Sequence, residues 1–464
     1  MSSWCSTEQK FVHRTISAAC TLLGSCHRTN ITTVEGIGSQ KTPHLVQTRL
    51  AECHAIQCGY DTPGTVVSMY GLLLNKVQPT MTEVEAALVG NLSRATGYRA
   101  ILEAFKVFTE KPNPDELSKH EAKLPAALKK KDFEAVVLRK GVSEWHFVPE
   151  LSAVRTLQEK SRNFVVVYGL PTPEQVAGKN VVIDVSYYVD KKVTSTALGL
   201  EATANVTVAG LADGLEALAA GQQSQLTKEL VQVLRTVKTP QWRNSTGLGD
   251  AVAGNKEVQV AFLSVGAKLV ATDIKGVEKT LGLKDKNCDG YTMKTLLIPT
   301  QAPSNYFLFC RVGARKANAS GTTCAALSVA LNGQNVSKAN MFIGRTNEDI
   351  CATRLDATVL EGKSLASIQE WSGEIKKVAE DKMTQNLVFK LIQDLSTLVI
   401  GSSEEKTELE ERRWPSRSKI ETTQFSLAAK ELDPSSSSSI GQPVPMVSKS
   451  LIRRFLICKC LKSR

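Results

Sequence analysis

Apolar residues recur at spacings of three and four through Tyr98, Leu102, Phe105 and Phe108, which puts them on one stripe of a helix opening near Thr96. Similar signals fill residues 12–109, and the whole stretch reads as helices. Thr62 can cap a helix with Pro63 at its first position, where the missing N–H costs nothing, and the apolar run SMYGLLL (68–74) follows. Thr82-Glu-Val-Glu85 fits a capping box, in which the hydroxyl takes one orphan N–H and the carboxylate reaches back to the cap. Together these segments predict a small bundle over residues 1–110.

Residues 111–132 are proline-rich and charged, the composition of a linker. Beyond them the pattern changes to short β-branched runs. AVVLR (135–139), NFVVVYG (163–169), NVVIDV (180–185), NVTVAG (205–210) and VGAKLVATD (265–273) predict strands separated by helical pieces, an α+β or α/β region over 133–285. A further region, 286–400, passes from strands (TLLIPT, NYFLFCRV, ALSVALNG) to a helix-rich end. From 401 to 464 the chain is charged and then serine-rich, which predicts a disordered tail. The expected fold class is therefore a multidomain α+β protein.

Composition narrows the function. The 464 residues carry a formal charge of +11, but it is spread along the chain, with no basic stripe interleaved with aromatics, and nucleic acid is not an expected partner. No signal peptide opens the chain and no apolar run is long enough to span a bilayer, so a cytoplasmic protein is expected. In that compartment the 11 unevenly spaced cysteines read as free thiols or metal ligands rather than disulfides. The Asn-x-Ser/Thr sequons, such as those at Asn30 and Asn205, then carry no meaning.

Two tempting motifs fail on spacing. Gly362-Lys363-Ser364 resembles the end of a phosphate loop, but the glycine required five residues earlier is Ala357. The 6 histidines form neither HExxH nor a Cys/His zinc pattern. More informative is Cys58-Gly-Tyr-Asp-Thr-Pro-Gly64, whose glycines and helix-start residues suit a metal cluster but which offers one sulfur.

Together with TTVEGIG (32–38), the stretch VQTRLAECHAIQCGYDTPGTVVSMYGLL (46–73) and GNLSRATGYRAI (90–101) resemble the helical iron–sulfur domain of the xanthine dehydrogenase and aldehyde oxidase family. In that family the motifs run QCGxCTPG and GNLCRCTGYR, each helix start offering two thiolates to one [2Fe–2S] cluster. Aligned on those motifs, Cys58 stands at the first ligand position, Asp61 at the second, Ser93 at the third and Ala95 at the fourth. Soft sulfur donors are what such clusters need, and alanine offers no donor. The [2Fe–2S] cluster implied by the family is thus not expected here, and Cys58 reads as a buried thiol at the start of a helix, a remnant ligand position. Cys20 falls near the fourth ligand position of the family's other, plant-type cluster, whose remaining ligands have no counterpart, and it too is a remnant position. Gln57, which in the family lies between the clusters and the molybdenum cofactor, is kept.

The resemblance continues more weakly to the family's FAD domain. EWHFVPELSAVRTL (144–157) matches its opening, NFVVVYGLPTPE its first flavin loop and QWRNSTGLGDAVAG (241–254) its second. Such loops work by glycine, because a backbone without Cβ can approach a pyrophosphate and turn N–H groups onto it. Gly169, Ser245, Gly247 and Gly249 remain as candidate FAD-binding residues. Family features are lost at Leu170-Pro171, where Gly-Asn-Thr is expected, at a shortened second loop and at Arg315-Lys-Ala-Asn-Ala319. FAD therefore stays open, with a flavin-type fold kept for packing alone the favoured alternative.

SIGQPVPMVS (439–448) resembles the segment leading to the family's molybdenum domain, and no molybdopterin is expected for this sequence. The basic end with Cys458 and Cys460 reads as a solvated tail rather than a membrane contact. No catalytic residue is expected. The resemblance implies a degenerate electron-transfer module that has lost its chemistry, against the alternative of a residual flavoprotein oxidising NADH. It also implies a homodimer or pairing with an intact relative.

Overall fold

The computed structural model describes residues 1–5, 10–110 other than 92 and 94, 124–125, 128, 135–186, 192–218, 224–283 other than 274, 291–299, 304–313, 321–345, 352–366, 378–379, 381–402, 405–406 and 409. The expected linker, apart from three residues, the Arg315–Ala319 segment and the chain beyond 410 lie outside this set. Near the start, β1 (Ser2–Cys5) and β2 (Lys10–His13) form a two-stranded sheet. The chain divides into two compact units, one including residues 30–125 and the other 3–29 and 126–410.

The first unit is helical: α1 (Leu45–Glu52), α2 (Thr62–Asn75), α3 (Met81–Leu88) and α4 (Arg99–Glu110) surround one core. Phe105 and Phe108 of α4 are buried as the stripe predicts, but Ile101 and Ala104 share that face and Leu102 is only half-buried. Tyr98 lies before the helix at φ +64°, so the stripe starts one turn later than expected. The capping box exists but sits two residues earlier: Thr80 N–H donates to Glu83 Oε2 at 2.7 Å and Glu83 N–H to Thr80 Oγ1 at 3.3 Å. Both threonines satisfy the Thr-x-x-Glu pattern. Thr80, extended at φ −76° and ψ 160°, is the one that caps α3. A second box caps α1, with His44 Nδ1 accepting from Val46 N–H at 3.1 Å while its ring meets Tyr70 edge-on at 5.3 Å.

The second unit is mixed. In its first sheet β3 (Val136–Lys140) and β4 (Ser143–Phe147) form a hairpin, and β5 (Phe164–Val167) and β6 (Val181–Asp184) extend it in the order β3-β4-β6-β5, with β6 parallel to both β4 and β5. The second sheet is antiparallel, ordered β10-β9-β11-β8-β7 from β7 (Val193–Thr196), β8 (Gly199–Thr203), β9 (Lys268–Asp273), β10 (Glu278–Gly282) and β11 (Tyr291–Pro299). The third is the meander β12 (Asn305–Gly313), β13 (Gly321–Asn332), β14 (Asn335–Arg345) and β15 (Thr353–Leu355). NVTVAG, expected as a strand, instead turns into the helix Val208–Leu218. Thr207 makes that turn, its Oγ1 accepting from Gly210 N–H at 3.1 Å.

The run NYFLFCRV is apolar at successive positions because β12 is covered on both sides. Leu308 and Cys310 face the helix Lys382–Ile400 and its Leu387, Leu391 and Leu395. On the other side the helix Gln225–Thr236 packs on β12, and its Gln225 and Glu229 side chains accept the Phe307 and Phe309 amides at 2.8 and 3.2 Å. Arg311 joins Glu257 at 2.7 Å with both side chains almost fully buried, and it also donates to Thr236 O at 3.1 Å. Breaking such a pair leaves an uncompensated buried charge.

Candidate functional site

The CGYDTPG stretch enters α2 one residue earlier than expected, with Asp61 rather than Thr62 at the cap and no side-chain capping bond. Gly59 takes φ +79°, a left-handed turn that glycine adopts without strain. Asp61 occupies the cap position and Pro63 the first turn. The Asp61 carbonyl accepts from Thr65 N–H at 3.1 Å, while its carboxylate makes no capping bond. The expectation of a buried Cys58 thiol is corrected: Cys58 is exposed, as is Gln57, and neighbouring Tyr60 is 91% exposed.

The third motif is tied to the same helix. Asn91 Nδ2 donates to Thr65 Oγ1 at 3.0 Å, and Tyr98 Oη donates to Asn91 O at 3.3 Å. Gly64 lets this happen, since a Cβ there would come within 3.2 Å of Asn91 Oδ1. On this loop Ser93 Oγ accepts from Ala95 N–H at 3.5 Å, and Ala95 is exposed without a donor atom. The support that joins the two motif segments is therefore present, while the four aligned positions supply one thiol, one carboxylate, one hydroxyl and one methyl group. Among the described residues no group of three or more His, Cys, Asp or Glu is placed to hold a metal ion. This donor set does not fit a four-thiolate cluster. Cys20 ends the short turn Ala18–Cys20, is exposed, and lies in the other unit from Cys58.

In the second unit the two glycine-bearing loops meet. Gly169 and Gly247 approach so closely that a Cβ on Gly169 would lie 2.3 Å from Gly247 N, and one on Gly247 would lie 2.4 Å from Tyr168 O. Gly249 is pressed against the Tyr168 ring, at 2.5 Å from a built Cβ. Several of the amides around this contact are already used. Tyr168 N–H donates to Asp250 Oδ2 at 3.0 Å. Leu170 N–H donates to Ser245 O at 2.8 Å, Leu248 N–H to Val206 O at 2.7 Å and Gly249 N–H to Ala204 O at 2.9 Å. Ser245 Oγ turns back to Trp242 O at 3.1 Å. Pro171 has no N–H to give. The four candidate FAD residues are thus brought together, but in a closed loop-to-loop contact rather than an open cradle.

Asp250 and Tyr168 escaped the sequence reading. The only hint was an acidic residue directly after Gly-Leu-Gly, which no motif marks. Burial pushes the Asp250 carboxyl up to about 7, amide donation opposing the shift and Asp184 adding to it. Asp184 is itself buried and accepts from Ser186 N–H at 2.9 Å and Trp145 Nε1–H at 3.1 Å. Tyr168 Oη accepts from Met293 N–H at 2.7 Å and borders a cavity of about 140 Å³ with Val185, Thr203, Ala204, Asn205 and Met293. That volume is below the ~300–1,000 Å³ usual for sites holding drug-sized ligands, and FAD is larger still.

Against known proteins, the family model of the [2Fe-2S] binding domain matches residues 33–106. Over its N-terminal region the chain is similar to xanthine dehydrogenases and aldehyde oxidases: 50% identity over 103 residues to xanthine dehydrogenase/oxidase of Mus musculus, and 50% over 101 residues to aldehyde oxidase 1 of Bos taurus. Each match covers 22% of this chain and 8% of the relative. Among solved structures, CO dehydrogenase from Oligotropha carboxidovorans aligns with TM-score 0.46 and 15% identity over 55% of this chain and 98% of that one. Quinoline 2-oxidoreductase from Pseudomonas putida 86 aligns with TM-score 0.44 and 16% identity over 56% and 96%. No helix among the described residues is long and apolar enough to cross a membrane.

Proposed function

We propose that this chain is a degenerate xanthine dehydrogenase-like module, an interaction domain pair that keeps the oxidoreductase scaffold without conducting electrons through iron. One observation carries the reading: where the resembling motifs place four thiolates, this chain has Cys58, Asp61, Ser93 and Ala95. Iron–sulfur clusters are held by thiolates, with rare replacement at a corner, so loss of three sulfurs removes the site rather than retuning it. The closed contact between the loops of Gly169 and Gly247 supports the same conclusion for FAD. Pairing with an intact relative is the partner arrangement this reading favours.

The test is the visible absorbance spectrum of the purified protein, with extraction of any bound cofactor. A colourless, folded protein is expected. A yellow protein releasing FAD would support the competing reading, a residual flavoprotein that accepts hydride from NADH.

A further inference from the structure

We propose that Asn332-Gly333, at the tip of the β13–β14 hairpin, is a self-modifying site that loses ammonia through a cyclic imide and ages into aspartate and isoaspartate. The dipeptide Asn-Gly occurs once in the chain, and every other asparagine is followed by a residue with a side chain. The two strands pair as far as Asn332 and Asn335, leaving Gly333 and Gln334 as a two-residue turn with Gly333 at φ +62°, which glycine takes without strain. The turn is exposed from Asn332 to Asn335. A Cβ built on Gly333 would meet nothing within 4 Å, so a ring forming there has open space. Among the described residues neither the Asn332 side-chain amide nor the Gly333 N–H makes a hydrogen bond, and both reacting groups are available. The same turn holds its own control. Asn335 is exposed too, but the residue after it is Val336, a stiff β-branched side chain that is 1% exposed and whose N–H donates to Lys363 O at 2.9 Å. The amide that would attack the Asn335 side chain is therefore engaged and shielded.

The step needs only water and mild base. The Gly333 nitrogen attacks the Asn332 side-chain carbonyl carbon and a C–N bond forms there. The bond from that carbon to the side-chain nitrogen breaks, and ammonia leaves with the proton that the Gly333 N–H gives up. Water then opens the imide at one of its two carbonyls. Opening at the side-chain carbonyl gives aspartate, which adds one negative charge; opening at the main-chain carbonyl gives isoaspartate, which also routes the backbone through the side-chain carbon. The longer backbone falls at a turn tied to the core, because Gln334 O accepts from Leu365 N–H at 3.0 Å and Leu365 is buried in one cluster with Leu331 and Val336. None of this depends on iron or flavin.

The experiment incubates the folded full chain in mildly alkaline buffer for increasing times, digests it, and locates each converted asparagine by fragment mass spectrometry after a separation that resolves aspartate from isoaspartate. Asn332 is expected to convert at least about tenfold faster than Asn335, a difference of about 1.4 kcal/mol in barrier, and to give both products. Asn332→Gln, in which the ring would be larger, is expected to stay unchanged at that position over the same times. The rate is read on the unaltered chain, so the outcome does not hang on the folding of the variant. No conversion at Asn332, conversion of Asn335 at the same rate, or aspartate as the sole product would each overturn the proposal.

Discussion

The helical unit and the β-rich unit hold their motif residues at different depths. In the first, the altered positions Cys58 and Ala95 are exposed, outside a core built on Phe105, Phe108, Met69 and Leu50. In the second, the glycine loops are buried against each other and Asp250 is part of the packing. Cluster ligands hang on the outside of a bundle whose stability comes from its apolar interior, so they can be exchanged with little effect on folding. Buried backbone amides at the glycine loops differ, because a buried donor needs an acceptor. An exposed position tolerates exchange, whereas a buried polar group must be paired.

That contrast can be broken most strongly by restoring the missing sulfurs. Asp61→Cys, Ser93→Cys and Ala95→Cys together should give a chain that takes up a [2Fe–2S] cluster on anaerobic reconstitution, visible as a charge-transfer spectrum, since the Asn91–Thr65 link already joins the two motif segments. Failure of the folded triple variant to gain any chromophore would show that the support has been lost along with the ligands.

Next in size are core changes. Phe105→Ala should lose about 3–5 kcal/mol in denaturant unfolding of the full chain, and Glu257→Gln, which strands Arg311 in an almost dry setting, should lose a similar amount. Cys58→Ala should move stability by no more than about 0.5 kcal/mol.

The sign of the pH effect sharpens the comparison further. The Asp250 carboxyl is raised from 3.8 to about 7 in the folded chain, so the native state holds a proton that the unfolded state releases between those values. The stability from this group is complete below the unfolded value and is lost as pH climbs through about 7, by about 4 kcal/mol at most. Subtracting the profile of Asp250→Asn, measured by denaturant unfolding, isolates this contribution. A flat difference between pH 4 and 8 would remove Asp250 from the account. The smallest effect expected is the loss of about 1 kcal/mol in Thr80→Ala, from the α3 cap.

Much of the architecture was legible because periodicity reports burial. Phe105 and Phe108 sit where the stripe puts them, and β5, β6, β9 and β12 fall on the β-branched runs. What escaped depended on contacts distant in sequence. NVTVAG has strand composition, yet Thr207 turns it into a helix because Val208, Leu211 and Leu215 are buried along one face. Cys58 is exposed beside the left-handed Gly59, against the thiol's own preference for burial. Asp250 was invisible because its importance lies in the amide of Tyr168, which no local pattern connects to it. The ligand positions at Cys58, Asp61, Ser93 and Ala95 were readable from the motifs alone, since they depend on residue identity rather than on packing.

The most direct measurement is the iron and inorganic sulfide content of the unaltered chain after anaerobic reconstitution and desalting. Iron well below one atom per chain and no visible chromophore are expected. About two irons and two sulfides per chain, lost in Cys58→Ala, would contradict the claim that this scaffold has given up its cluster.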